Sequence, residues 1–171
     1  KFIKFDKIVY EKKFQYFHEI SIKGNNFFIV DSSWITPHEN LINFKVNKKG
    51  DLIKKKIFDI KNIIPKKFDY LCHLNTINIE KNFLYLLFHN LSQYTNLNSK
   101  ILKFKLIKNS LKFISVYKNF DKFNLASAHN LNLKNNIILN SGQSKLIIND
   151  KIIHFKNMFL KGFKITKNFL I

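Results

Sequence analysis

The chain has 171 residues and a formal net charge of +19, from thirty basic residues against eleven acidic ones. Its single cysteine, Cys72, excludes an internal disulfide framework and any cysteine-based zinc site. A hydrophobic content of 46% and an aromatic content of 15% exclude intrinsic disorder and provide for a core.

In chain order, the first 31 residues read as strands. Phe2, Phe5, Val9, Ile20, Ile22, Phe27 and Ile29 are apolar positions spaced by Lys and polar residues, and Lys23-Gly24-Asn25-Asn26 reads as the turn of a β-hairpin. Residues 31–40 are polar and carry Pro37, so a loop is expected there, entering a short helix around Glu39–Phe44. Residues 45–69 hold nine lysines with Gly50-Asp51 and Pro65 as punctuation, the pattern of loops with short ordered pieces.

Ile79, Phe83, Leu86, Leu87 and Leu91 fall near helical spacing, which predicts a helix over 79–91 capped by Asn78. Leu102, Phe104, Leu106, Leu111 and Phe113 alternate around Lys108-Asn109-Ser110, a second hairpin pattern. Short β-like runs follow at 137–139, 146–148, 152–155 and 163–165, with Asn149-Asp150 as a tight turn. The longest apolar run, Phe83–Phe88, has six residues, too few for a membrane-spanning helix. The expected fold class is therefore α+β: small antiparallel β-sheets with one or a few helices and lysine-rich loops. A single domain over 1–171 is expected, in which about 45–130 reads either as an inserted segment or as a diverged part of the fold.

Composition speaks to origin and partner. All thirty basic residues are Lys, and Lys, Asn, Ile and Phe make up more than half the chain, while Ala, Gly and Pro are rare. The four abundant residues can be encoded by A and T alone, which points to an AT-rich genome such as that of an organelle or an endosymbiont. Codon drift does not account for the retained excess of positive charge. A chain so charged repels itself unless an anion neutralises it, and nucleic acid is the leading partner, ahead of an anionic membrane surface.

Catalytic signals are weak. No pair among His18, His38, His73, His89, His129 and His154 has HxxxH or HxH spacing, and no G-x-S-x-G or Gly-rich phosphate loop occurs. The histidines read as partly buried or RNA-facing. No enzyme activity, cofactor or metal is expected. Lysines in the densest stretch, Lys48, Lys49, Lys54, Lys55 and Lys56, are candidate phosphate contacts, since an ammonium neutralises phosphate as a point charge.

The tail carries a family resemblance. Ser141-Gly142, then Asn149-Asp150-Lys151, then Met158, Gly162, Phe163, Thr166 and Lys167 resemble the closing motifs of small-subunit ribosomal protein family nineteen, with Asp150 replacing a Gly and Lys167 an Arg. Ser33-Trp34-Ile-Thr-Pro37 resembles that family's S-x-W-K-G-P, keeping the Trp and the Pro. Residues 146–165 are also similar to the end of ribosomal family four, which leaves Trp34 unexplained.

The resemblance to family nineteen implies a structural constituent of an organellar small ribosomal subunit, most simply mitochondrial, with a plastid or an endosymbiont cytoplasm as alternatives. Its partners would be small-subunit rRNA and neighbouring proteins of the subunit head, family thirteen among them. Trp34, Lys151, Lys161, Lys164 and Lys167 would then join the RNA-binding set. A non-catalytic subunit of a respiratory or ATP-synthase assembly is the alternative class. An RNA-processing enzyme bearing a family-four-like module is a third.

Overall fold

The computed structural model describes residues 17–33, 38–90, 95–108, 110–163 and 165. It is all-β. Three four-stranded antiparallel sheets follow one another along the chain, each a simple meander. Sheet 1 comprises β1 (Phe17–Lys23), β2 (Asn26–Ser33), β3 (His38–Val46) and β4 (Leu52–Asp59). Sheet 2 comprises β5 (Leu74–Glu80), β6 (Phe83–Phe88), β7 (Lys100–Ile107) and β8 (Ser110–Val116). Sheet 3 comprises β9 (His129–Asn132), β10 (Ile137–Asn140), β11 (Lys145–Ile148) and β12 (Lys151–His154).

The first strands are neighbours: β5 lies against β1 and β2, and β9 lies against β5. Consecutive four-stranded meanders, packed face to face with their first strands adjacent, follow the building plan of β-propeller blades.

The α+β expectation is corrected. The helical elements that lie wholly within the described residues are single 3-10 turns, Lys66–Phe68, Asp121–Phe123 and Ser141–Gln143, and Thr95 is the one described residue in α-helix. Where a helix is expected over 79–91, residues 79–88 are instead the end of β5, a turn at Lys81-Asn82 and strand β6, with Glu80 and Phe83 paired across the turn, and Leu91 lies outside the described residues. Lys81 sits at φ 50°, in the left-handed region that such turns use. Asn78 caps nothing; its Nδ2 donates to the Leu131 carbonyl, tying sheet 2 to sheet 3.

The short helix expected at 39–44 lies inside β3, and the lysine-dense stretch expected as loops contains β4, paired with β3 from Asn40↔Asp59 to Val46↔Leu52. Three consecutive lysines, Lys54, Lys55 and Lys56, break the alternation that marks a strand, because the outer edge of β4 faces solvent. The span 45–130 runs from the end of β3 through all of sheet 2 to the start of β9.

The hairpin readings hold. β1 and β2 turn at Gly24-Asn25, with Gly24 at φ 56°, and β11 and β12 turn at Asn149-Asp150, both at positive φ. β7 and β8 pair Ile107 with Ser110 across the expected turn.

Two cores separate the three sheets. Phe28, Val30, Leu41 and Phe58 of sheet 1 pack against Ile77, Leu84, Leu86 and Phe104 of sheet 2. On the other face of sheet 2, Tyr85, Leu87 and Ile101 meet Leu131, Ile138 and Ile147 of sheet 3, with Phe120 and Leu125 between. Ile137, Leu139 and Leu146 form a third cluster with Phe155, Leu160 and Phe163. Residue by residue, β6 therefore alternates between two cores, which explains its unbroken apolar run. In β12 all four residues are exposed, and Ile152 stands 41% exposed on this outermost strand.

Gly162 meets nothing within 4 Å of where a Cβ would lie. Gly142 is the glycine in close backbone contact: an added Cβ would sit 2.8 Å from the Ala126 carbonyl oxygen, the atom that accepts the Gly142 N–H. Replacing Gly142 by Ala should cost about 1–3 kcal/mol of stability through this clash. Gly162→Ala should be neutral, and equal urea midpoints for the two variants would contradict this packing.

Candidate functional site

The inner strands open with polar residues where a core would place apolar ones. His18 and Glu19 start β1, Asn75 and Thr76 start β5, and His129 and Asn130 start β9. With His73 and Lys161 they line a cavity of about 260 Å³. A register irregularity occurs at the same place in each sheet, between Phe17 and Glu19, between Leu74 and Thr76, and opposite Ile138/Leu139 on β9. His18, Asn75 and Asn130 are thus the extra residues of three bulges, one per sheet. A bulge re-aims a side chain that the regular pleat would bury or expose.

Four imidazoles form an edge-to-face chain. His18 and His73 centroids are 4.5 Å apart, His73 and His89 5.1 Å, and His89 and His129 4.7 Å, and Phe159 closes the row 5.4 Å from His129. Burial, reinforced by neighbouring imidazoles, pushes His73 down to about 4 and His89 to about 3. Burial also pushes His129 down to about 4, against the pull of its bond to Ser127, and it lowers His18. At neutral pH the row is uncharged.

Backbone carbonyls set two tautomers. His129 Nδ1 donates to the Ser127 carbonyl at 2.9 Å, leaving Nε2 as an acceptor, and His18 Nε2 donates to the Ser32 carbonyl at 3.2 Å, leaving Nδ1 as one. His73 Nδ1 is buried without a hydrogen-bond partner.

Two glutamates of sheet 1 hold the first strand of sheet 2. Glu19 accepts the Ile77 N–H at 3.0 Å, and Glu39 accepts the His73 and Leu74 N–H groups at 2.6 and 2.7 Å. Burial raises both carboxyls, Glu19 to about 7. Among the described residues no group of three or more His, Cys, Asp or Glu side chains could hold a metal ion. The Cys72 thiol is pushed up by burial, the opposite of an activated nucleophile. The cavity offers free-base imidazoles, amides, one carboxyl that titrates near neutrality and one ammonium: a hydrogen-bonding site.

Of the predicted RNA contacts, Lys48 and Lys49 stand exposed on the β3–β4 turn and Lys54 exposed on β4. Lys55 and Lys56 are half-buried, with ammoniums 6.0 Å from the Phe44 ring and 5.2 Å from the Phe58 ring. Lys151 is exposed at the start of β12, and Lys161 lines the histidine cavity. Trp34, Lys164 and Lys167 lie outside the described residues. The sheets thus bring Lys54 and Lys56 together on one face and leave Lys151 on another.

Sequence reasoning about metal and catalytic spacing missed the histidine cavity. A usable signal was present: His73-Leu-Asn75, His89-Asn90 and His129-Asn130 repeat a His/Asn pairing that no core requires. The chain matches no family model, no curated protein and no solved structure. The functional reading therefore rests on geometry and charge.

The histidines make stability depend on pH. Each is held below its ordinary 6.5, so its contribution is complete above pH 6.5 and is lost as pH falls toward about 4. Glu19 acts in the opposite sense: its contribution is complete below about 4.5 and lost as pH rises through about 7. Glu39 shares that direction, and the histidines outnumber the two acids. The urea midpoint should fall as pH drops from 6.5 to 4, and less steeply in His73→Gln/His129→Gln. An equal slope in that variant would remove the histidines as the cause.

Proposed function

We propose that the chain is a non-catalytic RNA-binding constituent of an organellar small ribosomal subunit. The observation that carries this reading is the partition of charge. Several acids are engaged in the chain's own structure: Glu19 and Glu39 accept backbone N–H groups, Asp51 accepts from Asn47, and Asp59 accepts the Lys61 N–H. Asp121 pairs with Lys100 at 3.4 Å and Asp150 with Lys122 at 2.9 Å. The lysines of the turns and outer strands, such as Lys48, Lys54, Lys108, Lys112 and Lys151, are exposed. Lysine charge of the described residues is thereby left facing outward from the β framework.

Such a surface suits a polyanion with spaced phosphates, bound through counterion release. The AT-driven composition supports an organellar gene, with the mitochondrial matrix as its simplest location. Within the ribosomal class, the tail residues Asn149, Lys151, Met158, Gly162 and Phe163 keep family nineteen as the member to test. Neighbouring proteins of the subunit head are its proposed protein partners. No helix among the described residues is long and apolar enough to cross a membrane.

The protein should co-sediment with small-subunit rRNA in its native organelle extract. With six to ten phosphate contacts, the affinity of the isolated chain for structured RNA should fall by roughly 10³–10⁵ between about 50 and 200 mM salt. A flat salt response, or sedimentation apart from rRNA, would overturn the reading.

A further inference from the structure

Between the outer strands of sheets 1 and 2 lies a second cavity, of about 300 Å³, lined by Asn26, Asn43, Lys45, Lys54, Lys56 and Lys108 over Phe58 and Leu106. The pairing of strands concentrates the charge. Lys45 and Lys54 are directly opposed across β3 and β4, as are Asn43 and Lys56, and Asn26 faces Lys45 from β2. Lys108 joins them from the end of β7 in the neighbouring sheet. Like charges placed directly opposite each other on a sheet destabilise it. Among the described residues, no carboxylate lines the cavity.

A second observation points into the same space. Asn43 Nδ2 is buried and has no hydrogen-bond partner. An amide N–H left without an acceptor costs free energy, and an acceptor supplied by a ligand recovers it. The described lining carries ammoniums and amides and no anionic group. Its apolar floor, Phe58 and Leu106, lowers the local dielectric and strengthens the attraction of an anion that enters.

We infer that this cavity is a phosphate-group site, with the ammoniums of Lys45, Lys54, Lys56 and Lys108 neutralising the anion and Asn43 Nδ2 donating to one of its oxygens. The inference rests on the polyanion-binding reading above for the source of the group, a phosphodiester of RNA; the same chemistry would take a free phosphate. Lys48, Lys49 and Lys151, though exposed, line neither this cavity nor an orphaned donor.

The test compares the wild type with Lys54→Gln/Lys108→Gln, and with Lys48→Gln/Lys49→Gln as a control of equal charge change. Each is melted in inorganic phosphate and in chloride at matched ionic strength. The wild type and the control should gain thermal stability in phosphate over chloride. Lys54→Gln/Lys108→Gln should lose that gain, while melting in chloride no lower than the wild type, because a like-charge contact is relieved. Asn43→Ala should weaken phosphate binding about tenfold.

Structured RNA is then added. If it abolishes the phosphate-dependent gain in the wild type, the site takes the RNA backbone; if the gain persists at saturating RNA, the site takes a free phosphate. Both results support the site. An equal gain in wild type and Lys54→Gln/Lys108→Gln, or none in the wild type, overturns it. RNA binding that keeps its full salt slope in Lys54→Gln/Lys108→Gln would leave the RNA reading standing with this cavity no part of it. A chain that binds phosphate here and no RNA would sink the RNA reading alone.

Discussion

Everything else in the structure depends on the burial of sheet 2 on both faces. Leu84, Leu86 and Phe88 point to sheet 1 while Tyr85 and Leu87 point to sheet 3, and all five are buried. Fully burying one such side chain is worth about 1.5–3 kcal/mol, so a single six-residue strand anchors both interfaces. The flanking sheets need not be apolar all round. Sheet 1 can keep lysine on β4, and sheet 3 can leave β12 wholly exposed, because each has one face against the layer it shares a core with.

That layered packing brings the first strands together, and polar chemistry collects where they meet. Three bulges turn His18, Asn75 and Asn130 toward one cavity. Glu19 and Glu39 cross from sheet 1 to the N–H groups of β5 and its approach, so two of the few acids are spent inside. The cost of burying a carboxyl is offset by these bonds, and it shows as raised carboxyl titration. Exposed lysines of the turns and outer strands, such as Lys48, Lys54 and Lys151, give the described exterior its cationic character. Fold and charge partition are one arrangement.

Much of this was legible in the sequence where turn chemistry was explicit. Gly24-Asn25, Lys108-Asn109-Ser110 and Asn149-Asp150 mark hairpins, because positive φ or polar residues between alternating runs leave the chain few other options. The sequence misled where burial was two-sided. Phe-Leu-Tyr-Leu-Leu-Phe at 83–88 satisfies a helical face as well as a doubly buried strand, and only the turn at Lys81-Asn82 separates them. β4 was hidden for the opposite reason: Lys54, Lys55 and Lys56 interrupt its alternation, because its far edge is solvated. The histidine cavity was illegible by spacing, since its members come from separate strands and from segments such as His73 and Lys161, joined only by the stacking of sheets. The lysines could be counted in advance, whereas their convergence at Lys45, Lys54, Lys56 and Lys108 required the β3–β4 register.

The double burial of sheet 2 is tested most directly by native-state amide hydrogen exchange across the three sheets. Amides of β6 and of the β7 strand paired with it should exchange slowest, through global unfolding, while those of β12 on the solvated rim should exchange far faster through local fraying. Exchange in β6 as fast as in β12, or protection over 79–91 continuous through Lys81-Asn82 as in a helix, would contradict the account.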